Sequence, residues 1–233
     1  MDNHNKEKKL AASHAAQFVQ NGMRVGLGSG TTSARVIKIL GERQRQEGLT
    51  FTGIPTSRES RDLALSLGIP LVDKLDGDEL DLAIDGADQT TRTGEMIKGG
   101  GGALLHERIV ASAARTFVVV CDSTKLVSRL GGFPLPVEVF GIALHHVSRK
   151  LTSLCLSPKL REKNGRPFVT DEGNFILDCE FEPEIMVSPA ELGEKIRSIP
   201  GVADHGLFLG LTDLIVVGHG ETIEEIRIDG KTE

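Results

Sequence analysis

The chain has 233 residues, 39% hydrophobic and 26% charged, enough to bury a core and at the upper edge of one domain, so a large domain with a smaller one is expected. Its 27 basic and 33 acidic residues give a formal net charge of -6 without a basic stripe, and it has no Trp, no Tyr and nine Phe, which argues against nucleic acid as a partner. No apolar run approaches the ~20 residues that span a bilayer, the N-terminus lacks a signal peptide's continuous apolar stretch, and Cys121, Cys155 and Cys179 form no CxxC, so a reducing cytoplasm, no membrane, no disulfide framework and no zinc site are expected.

In chain order, residues 6–20 read as an amphipathic helix, MRVGL at 23–27 as a strand, and residues 31–40 as a helix opening at a Gly/Ser/Thr loop. FTGI and residues 57–67 repeat the strand and helix pair. LDLAID, with a helix from Ala103, repeats it again, and RTFVVVCD is a fourth buried strand. Such βα units predict an α/β fold, a Rossmann-like mostly parallel sheet with helices on both faces. After Leu130 the texture changes. GGFPLPVEVF reads as extended, VTDEGNFILDCEF as a hairpin turning at residues 171–174, and residues 188–199 as a helix started by Pro189 and ended by Pro200 and Gly201. GLFLGLTDLIVVG returns to buried-strand character. The expectation is a smaller inserted α+β domain at 131–205, for oligomerisation or as a lid, with 1–130 and 206–233 forming the catalytic domain.

Ionisable groups and bare backbone concentrate between Ile84 and Arg108, in IDGADQTTRTGEMIKGGGGALLHER. Asp85 ends a predicted buried strand, at the sheet edge where α/β proteins bind ligands. Asp88 follows after Gly86 and Ala87, so a tight turn aims both carboxylates at one place. Lys98 precedes Gly99, Gly100, Gly101 and Gly102, whose backbone can approach a ligand closely, and Glu107 sits about one turn into the next helix. The earlier loop, VGLGSGTTSARVIKIL, joins a strand to a helix and offers Ser29, Gly30, Thr31 and Thr32 to a phosphate. It is neither a dinucleotide fingerprint nor a Walker A loop, and a bare turn with a Thr cap explains it as well. Lys125 reads either as a ligand contact or as a surface residue at a helix start. His106 is read as structural, Cys121 as packing, and the adjacent His145 and His146 cannot share a helix face to hold a metal.

GLGSGTT, IPTS at 54–57, IDGADQ, MIKGGGGALLHERIV, DSTK, LGGFPLPVEV, VTDEGN and PGVADHGLF stand in the order and spacing found in ribose-5-phosphate isomerase of the A type, and nearly the whole chain resembles that family. The resemblance implies reversible conversion of D-ribose 5-phosphate to D-ribulose 5-phosphate through an enediol, in the non-oxidative pentose phosphate pathway, without cofactor or metal, by a homodimer or homotetramer. Position by position it places a phosphate and sugar loop on Ser29, Gly30, Thr31 and Thr32, paired acids on Asp85 and Asp88, a lysine and glycine loop on Lys98 to Gly101, a catalytic carboxylate on Glu107, and further lysines on Lys125 and on Lys8, which Lys6 and Lys9 flank. The chemistry fits these residues. One carboxylate, Glu107, can serve as base and then acid between C2 and C1; Lys98 with the loop amides can meet charge on the carbonyl oxygen; ring opening is assigned to Asp85 with Asp88 assisting, and the sequence leaves open which of the two does more. FPLPVEVF and FILDCEF are candidate interface strands.

Gln89 after DGAD, His106 before the acid and the lack of Tyr depart from the family pattern in detail. Two rivals remain. One is a non-catalytic sugar-phosphate sensor domain of the same fold, although no helix-turn-helix is expected ahead of the sheet and the candidate base is retained. The other is a coenzyme A transferase acylated at Glu107, although nothing in the sequence suggests a site for that large cofactor.

Overall fold

The computed structural model describes residues 3–72, 74–75, 79–182, 186 and 188–228; the expected outer bounds at residues 1 and 233 lie outside the described residues. The chain runs α1 (Asn3–Ala16), β1 (Met23–Leu27), α2 (Gly30–Glu47), β2 (Phe51–Pro55), α3 (Arg58–Ser66), β3 (Leu80–Asp85), β4 (Gln89–Thr90), β5 (Met96–Ile97), α4 (Leu104–Ser112) and β6 (Ala114–Asp122). It continues with β7 (Leu135–Val139), α5 (Leu144–Ser153), β8 (Ser157–Leu160), β9 (Glu162–Lys163), β10 (Arg166–Pro167), β11 (Phe175–Glu180) and α6 (Pro189–Arg197). It closes with β12 (Val202–His205), β13 (Leu207–Phe208), β14 (Leu214–His219) and β15 (Thr222–Arg227).

The main sheet has the order β15-β14-β6-β3-β1-β2, parallel throughout except for β15, which folds back antiparallel on β14. Successive residues serve opposite faces. Leu82, Ile84, Val118, Val120 and Val216 meet α1, α2 and α3, while Ala83, Phe117, Val119, Ile215 and Val217 meet the α4 side. Both faces are therefore covered, as a parallel sheet requires. From β1 the chain moves outward to β2 and then crosses to β3 on the other side of β1. That reversal opens a crevice beyond the carboxyl ends of β1 and β3, the place where such sheets hold ligands.

A second sheet, β12-β7-β11-β8, packs against α5 and α6 around a separate apolar core with Leu135, Val137, Val147, Leu177 and Ile196 at its centre. A small antiparallel sheet, β13-β5-β4, joins the two and was not expected. Among the described residues no helix is long and apolar enough to cross a membrane.

Several expectations change. α1 stops at Ala16 rather than at residue 20, because Arg43 Nη1 donates to the carbonyls of Ala16 at 2.5 Å and Val19 at 3.2 Å, satisfying the helix end. Its buried face is also narrow, mostly Ala11, Ala12, Ala15 and Ala16. α2 runs seven residues past residue 40, to Glu47. The expected hairpin about residues 171–174 shrinks to one bridge, Val169 with Phe175, since β11 takes the wholly buried β7 and then β8 as partners. FPLPVEVF and FILDCEF supply β7 and β11, which are inner strands; the edges of that sheet are β12 and β8. The closing apolar run divides into β13 and β14, separated by Gly210 at φ 67°.

One contact shows how tightly α1 lies on the sheet. A Cβ at Gly218 of β14 would stand 2.3 Å from the Glu7 carbonyl oxygen, a backbone atom that cannot swing aside. Gly218→Ala is therefore expected to destabilise the fold by about 1–3 kcal/mol, read as a lower denaturant midpoint; an unchanged midpoint would show that α1 is free to shift.

Candidate active site

Each strand of the switch point delivers one part of the site. β3 ends on Asp85, whose Oδ1 accepts from the Ser29 amide at 3.0 Å, the Ser33 hydroxyl at 2.9 Å and the Gly86 amide at 2.7 Å. Gly28, after β1, makes room for it, because a Cβ there would lie 2.1 Å from Asp85 Oδ1. β5 leads into Lys98, whose Nζ donates to the Gly86 carbonyl at 2.5 Å and stands 3.1 Å from Asp85 Oδ2 and 3.5 Å from Glu107 Oε2. All three side chains are buried, and apart from those ion pairs neither Asp85 Oδ2 nor Glu107 Oε2 has a hydrogen-bond partner.

That arrangement sets the protonation. Burial penalises the Lys98 ammonium, but Asp85 and Glu107 outweigh it and raise its pKa. Glu107 faces the opposite balance. Burial raises its pKa, Lys98 offsets part of the rise, Asp85 and Asp88 add to it, and the value comes to about 8. Arg108 fastens the helix that carries Glu107: Nε donates to Asp204 Oδ2 at 2.5 Å, and Nη2 to the carbonyls of His205 at 2.5 Å and Leu207 at 2.9 Å. Its guanidinium and the Lys98 ammonium both lie against the Phe208 ring, 4.1 and 5.6 Å from its centre.

These elements enclose a cavity of about 140 Å³. Ser29, Gly30, Thr31 and Thr32 form one wall, Gly86, Ala87 and Asp88 another, and Lys98, Gly99, Gly100, Gly101 and Glu107 a third, with Lys8 and Lys125 at the margin. Every residue expected at the site borders this cavity except Asp85, which stands behind Lys98 and so reaches it only through that lysine. Asp88 is the acid on the wall, its Oδ2 accepting from the Gly100 amide at 2.7 Å. Ser29 occupies the N-cap of α2 but its side chain makes no capping bond; its hydroxyl pairs with Thr56 Oγ1 at 2.7 Å. The first amides of an 18-residue helix are thus left uncapped beside two lysines, a suitable seat for an anion.

Cys121 and Asp122 also border the cavity and were not anticipated as site residues. Burial pushes the Cys121 thiol up to about 12, so it packs rather than reacts. Asp122 caps the short turn holding Lys125 by accepting from the Thr124 amide at 3.0 Å, and its Oδ2 lies 3.7 Å from Lys8 Nζ. The signal for it lay in plain view in DSTK. Nearby, His4, Glu7 and Asp122 come within 4.8 Å of one another. Glu7 already accepts from Asn3 Nδ2, the Gly220 amide and Ser123, so this group reads as a hydrogen-bonded strut for Ser123 and Lys125. His106 pairs with Glu172 at 2.8 Å and does not border the cavity.

The family model described as ribose 5-phosphate isomerase A (phosphoriboisomerase A) matches residues 52–222. The ribose-5-phosphate isomerase A of Thermosynechococcus vestitus is 49% identical over 216 residues, 91% of this chain and 90% of its own. The ribose 5-phosphate isomerase A structure from Methanocaldococcus jannaschii is similar at TM-score 0.90 and 41% identity, covering 96% of this chain and 99% of that one. A D-ribose-5-phosphate isomerase solved in complex with phospho-erythronic acid reaches TM-score 0.92 at 34% identity, covering 97% and 100%.

The raised Glu107 pKa has a consequence for stability. A carboxyl whose folded value exceeds its ordinary 4.5 stabilises the fold fully below pH 4.5 and loses that contribution as pH rises through about 8. The denaturant midpoint of wild type should therefore fall relative to that of Glu107→Gln across that window; a pH-independent difference between the two would rule out the shift.

Proposed function

The chain belongs to the ribose 5-phosphate isomerase A family, and on that premise we propose that its cavity interconverts D-ribose 5-phosphate and D-ribulose 5-phosphate through an enediol. The observation that carries the reading is Glu107, a buried carboxyl tuned to about 8, in one cavity with Lys98 and with an uncapped helix N-terminus. A group that titrates near neutrality can accept a proton in one step and return it in the next.

In this reading the phosphate sits at the start of α2, held by the Thr31 and Thr32 region with Lys125 and Lys8. The sugar then extends toward Lys98 and Glu107. Ionised Glu107 takes the proton from C2 of the open-chain aldose, giving the enediol as O1 gains a proton, and returns it to C1 as the O2 hydroxyl gives up its own. The Lys98 ammonium, with amides of the glycine loop, meets the negative charge that develops on the carbonyl oxygen. Ring opening needs a proton moved between the ring oxygen and the anomeric hydroxyl. We assign it to Asp88 on the cavity wall, with Asp85 acting through Lys98, a division that the sequence leaves open. The resemblance of this chain to an isomerase solved with phospho-erythronic acid, a four-carbon phosphorylated acid, supports a sugar phosphate as ligand.

We further propose that residues 1–130 and 206–233 form the catalytic domain and 131–205 a smaller one, consistent with the separate core around Leu135 and Leu177. Self-association through the smaller domain is supported by Ile142, which is fully exposed, and the half-exposed Phe140 beside it. Three free cysteines fit a cytoplasmic setting.

The test is formation of ribulose 5-phosphate from ribose 5-phosphate in the presence of a chelator. Wild type should turn over, with kcat/KM falling as pH drops below about 8 because Glu107 must be ionised. Glu107→Gln should bind the sugar phosphate and lose about 10²–10⁴-fold in kcat. Binding without turnover by wild type would favour the sensor reading. Lys125→Ala should raise KM by about tenfold with little change in kcat, the signature of lost ground-state binding; an equal fall in kcat would move Lys125 from the phosphate to the chemistry.

A further inference from the structure

The glycine loop is held in shape from segment 131–205. Arg161, just beyond β8, donates from Nη1 to the carbonyl oxygens of Gly99 at 2.8 Å and Gly100 at 3.1 Å. Asp178 of β11 grips the same guanidinium from the other side, accepting from Nε at 2.8 Å on Oδ2 and from Nη2 on Oδ1. Phe168 fills the space next to the loop, and a Cβ on Gly102 would stand 2.5 Å from its ring. Arg161 does not itself border the cavity.

The Gly99 carbonyl and the Gly100 amide belong to one planar peptide unit. Its oxygen accepts from Arg161, and its N–H donates to Asp88 Oδ2 at 2.7 Å. A cation on the carbonyl makes the amide a stronger donor, and bonds at both ends fix the tilt of the plane. Asp178, Arg161, the peptide and Asp88 thus form one chain of hydrogen bonds running from the second sheet to the cavity wall.

We propose that Arg161 is a positioning residue for the isomerisation: through the peptide joining Gly99 and Gly100 it sets the Asp88 carboxylate at the cavity wall. The sequence offers no hint of this, since 61 residues separate Arg161 from Gly100.

The inference rests on the isomerase reading, so wild-type turnover is measured first, and its absence overturns both. With wild type active, Arg161→Met should lower kcat about 10–100-fold while KM stays within about threefold. Arg161→Lys, which keeps a cation near the two carbonyls, should recover part of the loss. Because both substitutions act on the same carboxylate, Arg161→Met combined with Asp88→Asn should be no slower than Asp88→Asn alone. A folded Arg161→Met with kcat within about twofold of wild type, or losses that multiply in the double variant, overturns the inference while leaving the isomerase reading intact. Should Arg161→Met fail to fold, Asp178→Asn, which loosens the guanidinium without removing it, goes through the same cycle with Asp88→Asn and is judged by the same outcomes.

Discussion

One buried ammonium lies within reach of two buried carboxylates in this protein, and much of the fold is arranged around them. Lys98 keeps its charge out of water because Asp85 Oδ2 and Glu107 Oε2 stand at 3.1 and 3.5 Å. The two carboxylates are held differently. Asp85 Oδ1 is fixed by three donors, whereas Glu107 Oε2 has only the lysine, and burial lifts Glu107 to about 8. Asp85 is thus the more firmly anchored of the two acids beside Lys98.

Crowding three such groups together requires backbone to approach side chain at distances that a Cβ would forbid. Gly28 lets the loop after β1 close over Asp85, and Gly206 lets the chain before β13 pass the Lys98 carbonyl, where a Cβ would come within 2.3 Å of that oxygen. A hydrogen bond holds the two segments together beside that close pass, the Lys98 amide donating to the Gly206 carbonyl at 2.9 Å. The strand return at 206–208 is thereby tied to Lys98.

The parts that sequence made legible are those written in contiguous residues. LDLAID and MRVGL occupy the strands their apolar patterns predict, and the site loops fall in two short stretches, so the cavity wall from Ser29 to Thr32 and from Gly86 to Glu107 could be read directly. What could not be read depends on tertiary pairing. β11 prefers the buried β7 to the run before its own turn, and α1 ends where Arg43 of α2 takes its carbonyls. Asp85 and Asp88 lie three residues apart, and sequence leaves their roles undivided; in the structure Asp88 borders the cavity and Asp85 does not.

Among the described residues, segment 131–205 lends no side chain to the cavity wall, yet it braces the elements that do. Arg161 holds the glycine loop, Asp204 holds Arg108 beside Glu107, Glu172 pairs with His106 on the same helix, and Asp171 accepts from the Arg58 amide at the start of α3. Three of these contacts reach α4 or the loop before it, on opposite sides of Glu107. A helix anchored only by its own apolar face could roll by a fraction of an ångström at little cost. Polar ties on both flanks remove that freedom, and the distance from Glu107 to a reacting carbon is the quantity on which proton transfer depends most steeply. The second sheet thereby limits the movement of α4 and of the loop before it, and on the isomerase reading its influence should be felt in kcat before it is felt in substrate affinity.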